Sequence, residues 1–199
     1  MIRALKTLQK KIVPQHRHLN FTMAAYDHFF EEYKDFVEKK LRTSKADIPY
    51  CVMGLSEEII EFELAKNDQK EMLLEAGDVI YYIMLMSILE SCIDLNYENV
   101  DRSLPVENLH TILQKLNKIG SSYSYRNLLR ERFISQMEKL LQDLINHITI
   151  ITGFSIRQLA HLNMTKLLHP KEVDTHLKVH LLIKSKDTHL PVRGIINAP

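Results

Sequence analysis

Eleven consecutive uncharged residues, Val79 to Leu89, follow directly on Asp78 and read Val-Ile-Tyr-Tyr-Ile-Met-Leu-Met-Ser-Ile-Leu. A helix that is apolar on every side is stable only when it is surrounded. The run is too short to span a bilayer, which needs about 20 residues, so the surroundings are expected from the rest of the chain. The 199 residues include only five glycines and six prolines, fewer than all-β folds spend on tight turns. The expected fold class is therefore all-α, an antiparallel helical bundle in one domain. A hydrophobic fraction of 45% is enough to build its core and argues against a wholly disordered chain. The net charge of +1 gives no global reason to bind nucleic acid or a membrane.

Helical periodicity runs along most of the chain. Met23, Tyr26, Phe29, Phe30, Tyr33 and Val37 step by three or four residues, which predicts a helix over 21–41. Thr43 to Pro49 reads as a polar loop closed by proline. A second helix is expected from about 54 to 65, a turn at Asn67-Asp68, and a third helix from near 69 to about 93. Residues 96–105 form a polar break. Two further helices are expected at roughly 106–119 and 125–151, separated by Gly120-Ser121-Ser122. Ser155 looks like the N-cap of a helix over 156–168, stopped by His169-Pro170. The organisation expected is a basic extension (1–20), a helical domain (21–170) with an insertion at about 96–149, and a tail (171–199) that is a strand pair, an arm or loose chain.

The first 20 residues hold Arg3, Lys6, Lys10, Lys11 and Arg17 and no acid, with Ile2, Leu5, Leu8 and Ile12 at helical spacing. They read as a basic helix against the body or a partner; near absence of serine weighs against a mitochondrial presequence. Two lone cysteines, Cys51 and Cys92, make no disulfide framework, so a cytoplasmic location is expected, with a bond between the two left open.

The chemistry concentrates in residues 54–78, where eight acids face two lysines and the local charge is −6. Glu58-x-x-Glu61 and Glu75-x-x-Asp78 each place two carboxylates on one helix face. A short turn between the helices makes them an antiparallel hairpin, so the pairs can face one another. Like charges at this spacing destabilise an isolated helix by about 0.2–0.5 kcal/mol per pair. A cation among them removes that cost, and oxygen-only ligands suit Mg²⁺ or Mn²⁺ rather than zinc or copper. Asp78 stands at the mouth of the buried run, where an ionised carboxylate is costly unless paired or metal-bound.

Gly54-Leu55-Ser56-Glu57-Glu58-Ile59-Ile60-Glu61, then Glu75-Ala76-Gly77-Asp78-Val79-Ile80-Tyr81-Tyr82, resembles the MazG-like family of all-α nucleoside triphosphate pyrophosphohydrolases, with its EExxE and ExxD motifs on adjacent helices. Gly153-Phe154-Ser155-Ile156 through Asn163-Met164-Thr165-Lys166-Leu167 is similar to the family's closing stretch. His169-Pro170-Lys171 stands where members often carry an arginine, and 96–149 exceeds a minimal member. The resemblance implies hydrolysis of a nucleoside or deoxynucleoside triphosphate to the monophosphate and pyrophosphate. It implies Glu58, Glu61, Glu75 and Asp78 as ligands of Mg²⁺ (or Mn²⁺), with Glu57, Glu58 and Glu61 as catalytic carboxylates and Glu57 as the candidate base. Asn163, Lys166 and Tyr82 are the implied substrate-binding residues, with Lys66 and Lys70 as weaker candidates. Base recognition would fall near His28 or Phe29, Phe29 having the stronger claim to a core role. The family's packing of hairpins across subunits implies a homo-oligomer, with Val79–Leu89 as a suitable seam.

Other readings draw on less. A di-iron bundle needs Glu-x-x-His twice, and the chain has one such string, Glu107-x-x-His110. A non-enzymatic adaptor binding nucleic acid or protein through the basic N-terminus lacks interleaved aromatics. His176-x-x-x-His180 and His16-x-His18 have ligand-like spacing but no Cys or Glu in a recognised zinc pattern, and read as surface histidines. No glycine-rich phosphate loop occurs, so triphosphate binding would rest on metal and basic side chains.

Overall fold

A computed structural model describes residues 23–42, 46–97, 108–123 and 130–187. They form seven α-helices: α1 (Met23–Leu41), α2 (Ile48–Leu64), α3 (Gln69–Leu89), α4 (Leu109–Tyr123), α5 (Arg130–Thr152), α6 (Ile156–Leu168) and α7 (Val173–Asp187). No strand occurs among the described residues. The all-α bundle expected from the sequence is what forms. The basic extension lies outside the described residues.

Helix α3 is the axis of the bundle. It packs most extensively on α2 and then on α6, and it also meets α1 and α5. Val79, Ile80 and Ile83–Met86 are all buried there. Helix α3 is long and apolar enough to cross a membrane, but 61% of its apolar stretch is already buried inside this chain, as in a core helix. Covering Val79–Leu89 from within takes most of that run away from the inter-subunit seam it was expected to supply.

The hairpin is set by its caps. Asp47 accepts a hydrogen bond from the Tyr50 amide at 2.9 Å, and Pro49 sits in the first turn of α2, where a missing N–H costs nothing. The helix therefore begins at Ile48 rather than near Gly54. The proline that reads as the end of a loop is inside the helix start. A 3₁₀ turn, Ala65–Asn67, reverses the chain, and Asp68 caps α3 through the amides of Lys70 (2.9 Å) and Glu71 (3.2 Å). Ser155 and Gln158 form a reciprocal capping box on α6, just after Gly153, whose φ of 65° lies in the left-handed region that glycine adopts freely.

Helices α4 and α5 are woven into the same core. Gly120 lets α4 lie directly on Val52 of α2: a Cβ there would fall 2.8 Å from Val52 Cγ1. For that reason Gly120-Ser121-Ser122 is helix rather than a break. Ile112 and Leu116 of α4 and Met137, Leu141, Leu144, Ile145 and Ile148 of α5 join the hairpin's apolar residues in one cluster. The irregular chain after α3 is held by α5. The Asn96 amide donates to Gln142 Oε1 (2.8 Å), and Gln142 Nε2 donates back to the Asn96 carbonyl (3.1 Å).

The tail expected as strands, arm or loose chain is helical through Asp187. Val173 and Leu177 are buried, and Lys70 pairs with Asp174 at 2.6 Å, fastening α7 to the start of α3. Its sequence is rich in β-branched and basic residues, but packing against α6 outweighs weak local propensity. Cys51 and Cys92 are both free, the first buried and the second exposed.

Candidate metal centre

Glu58 on α2 and Glu75 and Asp78 on α3 bring one carboxylate oxygen each to within 4.8 Å of one another. The hairpin places them. Glu75 and Asp78 lie one turn apart on α3, and Glu58 faces them from α2. Helix α6 closes the group from a third side. Asn163 Nδ2 donates to Asp78 Oδ1 at 2.6 Å, and Lys166 Nζ donates to Asp78 Oδ2 while standing 3.7 Å from Glu75 Oε1. Asn163 and Lys166 are one turn apart, so one face of α6 carries both. That face comes close because Gly77 lies under it. A Cβ at Gly77 would be 3.0 Å from the Leu159 carbonyl oxygen and 3.2 Å from Asn163 Cβ.

Behind Asn163 stands Tyr33 of α1, fully buried, whose hydroxyl donates to Asn163 Oδ1 at 3.0 Å. Burial first, and the Asp78 charge second, push the Tyr33 phenol far up, so it stays a neutral donor. With its oxygen engaged by Tyr33, the Asn163 amide presents its NH₂ to Asp78. Tyr33 was legible in the sequence only as one more aromatic on the apolar stripe of α1.

The electrostatics are those of crowded acids. Burial, then the charge of Asp78 and the contact with Glu75, push Glu58 up to about 8. Glu75 is also raised, by burial above all, although Lys166 pulls it back. Burial would lower Lys166, but its hydrogen bond to Asp78 and the charges of Asp78 and Glu75 raise it on balance. Glu75 is 5% exposed, and its Oε2 is buried with no hydrogen-bond partner. An orphaned buried carboxylate oxygen is costly. An all-carboxylate donor set with one oxygen unused fits a hard divalent cation such as Mg²⁺.

The remaining expected site residues do not join the three converging oxygens. Glu61 is exposed one turn after Glu58; its charge reaches Glu58 and Glu75, but it is not among the three oxygens that converge. Glu57 is exposed. Tyr82, one turn past Asp78, is half-buried with its ring against Gly54, where a Cβ would lie 2.3 Å from Cζ. Burial, then the charges of Tyr50 and Glu58, push its phenol well up. Lys66 pairs with Glu63 at 2.5 Å and Lys70 with Asp174, so both point to other partners. His28 is exposed; Phe29 is buried, stacked on Tyr33 with the Arg157 guanidinium 5.0 Å over its ring. Glu107 of the di-iron alternative lies outside the described residues.

No family model, curated protein or solved structure matches the chain.

Proposed function

We propose that the protein hydrolyses a nucleoside or deoxynucleoside triphosphate to the monophosphate and pyrophosphate, using Mg²⁺ held by Glu58, Glu75 and Asp78. The supporting observation is the convergence of those three carboxylates beside a lysine and an asparagine from α6, with a buried Glu75 oxygen left unpartnered. The motif resemblance supplies the reaction class. When bound, the divalent ion would offset charge developing on the phosphate oxygens.

In this reading the chain's own groups divide the remaining work. Lys166 and Asn163 bind phosphate oxygens, Lys166 turning from the acids toward the more highly charged substrate. Removing one such preorganised donor costs about 10²–10³-fold in turnover. Tyr33 keeps Asn163 in its donating orientation. Glu61, exposed one turn after Glu58, would be the fourth carboxylate available to hold the ion. Glu57 takes the proton from the attacking water as the bond to the α-phosphorus forms and pyrophosphate leaves. Tyr82, one turn past Asp78 and within electrostatic reach of Glu58, is the aromatic group nearest at hand for the substrate.

A panel of nucleoside and deoxynucleoside triphosphates with Mg²⁺, read by pyrophosphate release, tests the proposal. Wild type is expected to turn over at least one of them, and Glu61→Gln, Glu75→Gln and Asp78→Asn are each expected to lose turnover while keeping their helical circular dichroism. Full activity in any variant removes that carboxylate from the site, and no pyrophosphate release from any nucleotide removes the activity.

A further inference from the structure

Helix α7 is held to the body through α6 and the turn before it, with the Lys70–Asp174 pair as a tie to α3. Val173 and Leu177 on its inner face are buried, and His176, His180 and Leu181 beside them are half-buried. These five positions share one side of the helix. Two of the five are therefore imidazoles, which spacing alone reads as surface histidines. An apolar side chain in their place would dock at any pH, whereas an imidazole packs well only while it is neutral.

Helix α6 meets them with a third ring. The His161 ring centroid lies 5.2 Å from that of His176 and 5.5 Å from that of His180. His161 Nδ1 and His180 Nε2 share a long hydrogen bond of 3.5 Å, in which one ring donates and the other accepts. A second proton on His180 has no good place. Where Nε2 is the acceptor, a proton there sets two N–H groups face to face. Where Nε2 is the donor, the proton falls to Nδ1, which is buried with no hydrogen-bond partner.

The surrounding charges do not relieve this pair. On α6, Arg157 works against a charge on His161, and α1 brings the uncharged Phe29 ring 6.4 Å from it. Glu172, in the turn before α7, stands 3.8 Å from Nε2 of His176, whose side chain is 38% exposed. From α3, Lys70 holds the Asp174 carboxyl below its ordinary range, with Lys178 adding to this, so that tie stays charged in mild acid. Burial, then the neighbouring histidines, push His180 down to about 4. Burial, then His176 and Arg157, lower His161 as well. A released imidazole returns to about 6.5. Release therefore takes up protons, and docking weakens as pH falls below that value.

We propose that the imidazoles of His161, His176 and His180 form a proton-sensitive latch, which keeps α7 on α6 at neutral pH and releases it in mild acid. His180 alone weakens docking roughly 25-fold between pH 7.5 and 5. Helix α6 also packs on α3 and α1, so α7 is the element that comes free. The latch stands whether or not the carboxylate centre hydrolyses a nucleotide.

The test is amide hydrogen exchange of the full chain at pH 7.5 and 5, each rate divided by the intrinsic rate at that pH, with the histidine rings titrated by NMR. Protection over residues 177–181 should fall at least tenfold, while that of α3 falls less than threefold. The rings of His161 and His180 should titrate clearly below 6.5. In the double variant His161→Leu, His180→Leu, protection of α7 should fall less than threefold, and the control His110→Gln should behave as wild type. A smaller fall in wild-type α7, an equal fall in α3, a fall of threefold or more in the double variant, or titration of both rings near 6.5 overturns the latch. Should the double variant fail to dock α7 at pH 7.5, the wild-type exchange and ring titration decide.

Discussion

At the scale of single residues, the carboxylate centre is governed by proton affinity. Glu58, held at about 8, carries a proton at neutral pH. A divalent cation bound there must displace it. The sign follows directly: below about 8 the proton competes and apparent Mg²⁺ affinity falls as pH drops; above it, affinity levels off. Isothermal titration of Mg²⁺ between pH 6 and 9 should show close to one proton released per ion at the low end, and Glu58→Gln should abolish most of that slope. An unchanged slope in the variant would exclude Glu58 as the competing group. The acids themselves could be read from the sequence, because like charges at i and i+3 beside an all-apolar run have few other uses. Asn163 and Lys166 could be placed only through the motif resemblance, since nothing local distinguishes a lysine near a helix end from a surface one. Tyr33 could not be found: its apolar neighbours give no hint that its hydroxyl meets Asn163, 130 residues away.

Between elements, two glycines decide how closely helices approach, with different consequences. At Gly77 the opposing atoms are α6 backbone, which cannot swing aside. Gly77→Ala should therefore push α6 from α3 and cost about 1–3 kcal/mol, the usual range for overpacking, seen as a lower urea midpoint at unchanged slope. Asn163 and Lys166 would retreat from Asp78 with it. At Gly54 the obstacle is the end of the Tyr82 ring, which can rotate away, so Gly54→Ala should cost less and leave the urea midpoint nearer to wild type. Equal loss in the two variants would contradict this contrast. Periodicity located most helices, but their ends depended on capping. Pro49 reads as a loop residue until Asp47 is seen capping α2, and Gly120 reads as a break until Val52 is seen filling the space a side chain would need.

Across the described part of the molecule, α2 carries an exposed apolar stripe. Tyr50, Met53, Ile60 and Leu64 follow one another along α2, exposed to 53, 63, 50 and 78%. A stripe of this kind rimmed by charge marks an association site more often than chance. The homo-oligomer implied by the resemblance would use this face of α2, because most of the Val79–Leu89 run is already enclosed. Light scattering should give a multiple of 23.3 kDa for the wild type and a monomer for Ile60→Glu, Leu64→Glu. A wild-type monomer, or a double variant of unchanged mass, would refute that use of the face. The all-α class was legible because few glycines and prolines and one fully apolar run leave little else. The helical tail was not, because its stability comes from contacts with α6 and from the Lys70–Asp174 pair rather than from its own sequence.

Helix α3 lends its middle to the core and its first turns to Glu75 and Asp78, and four other helices lean on it. Robustness and aim are thus invested in one rod. A substitution that loosens any layer also shifts the acids, and one that tightens a layer narrows the range of ions and phosphates they can accommodate. Selection for endurance and selection for catalytic fit would act on the same handful of side chains.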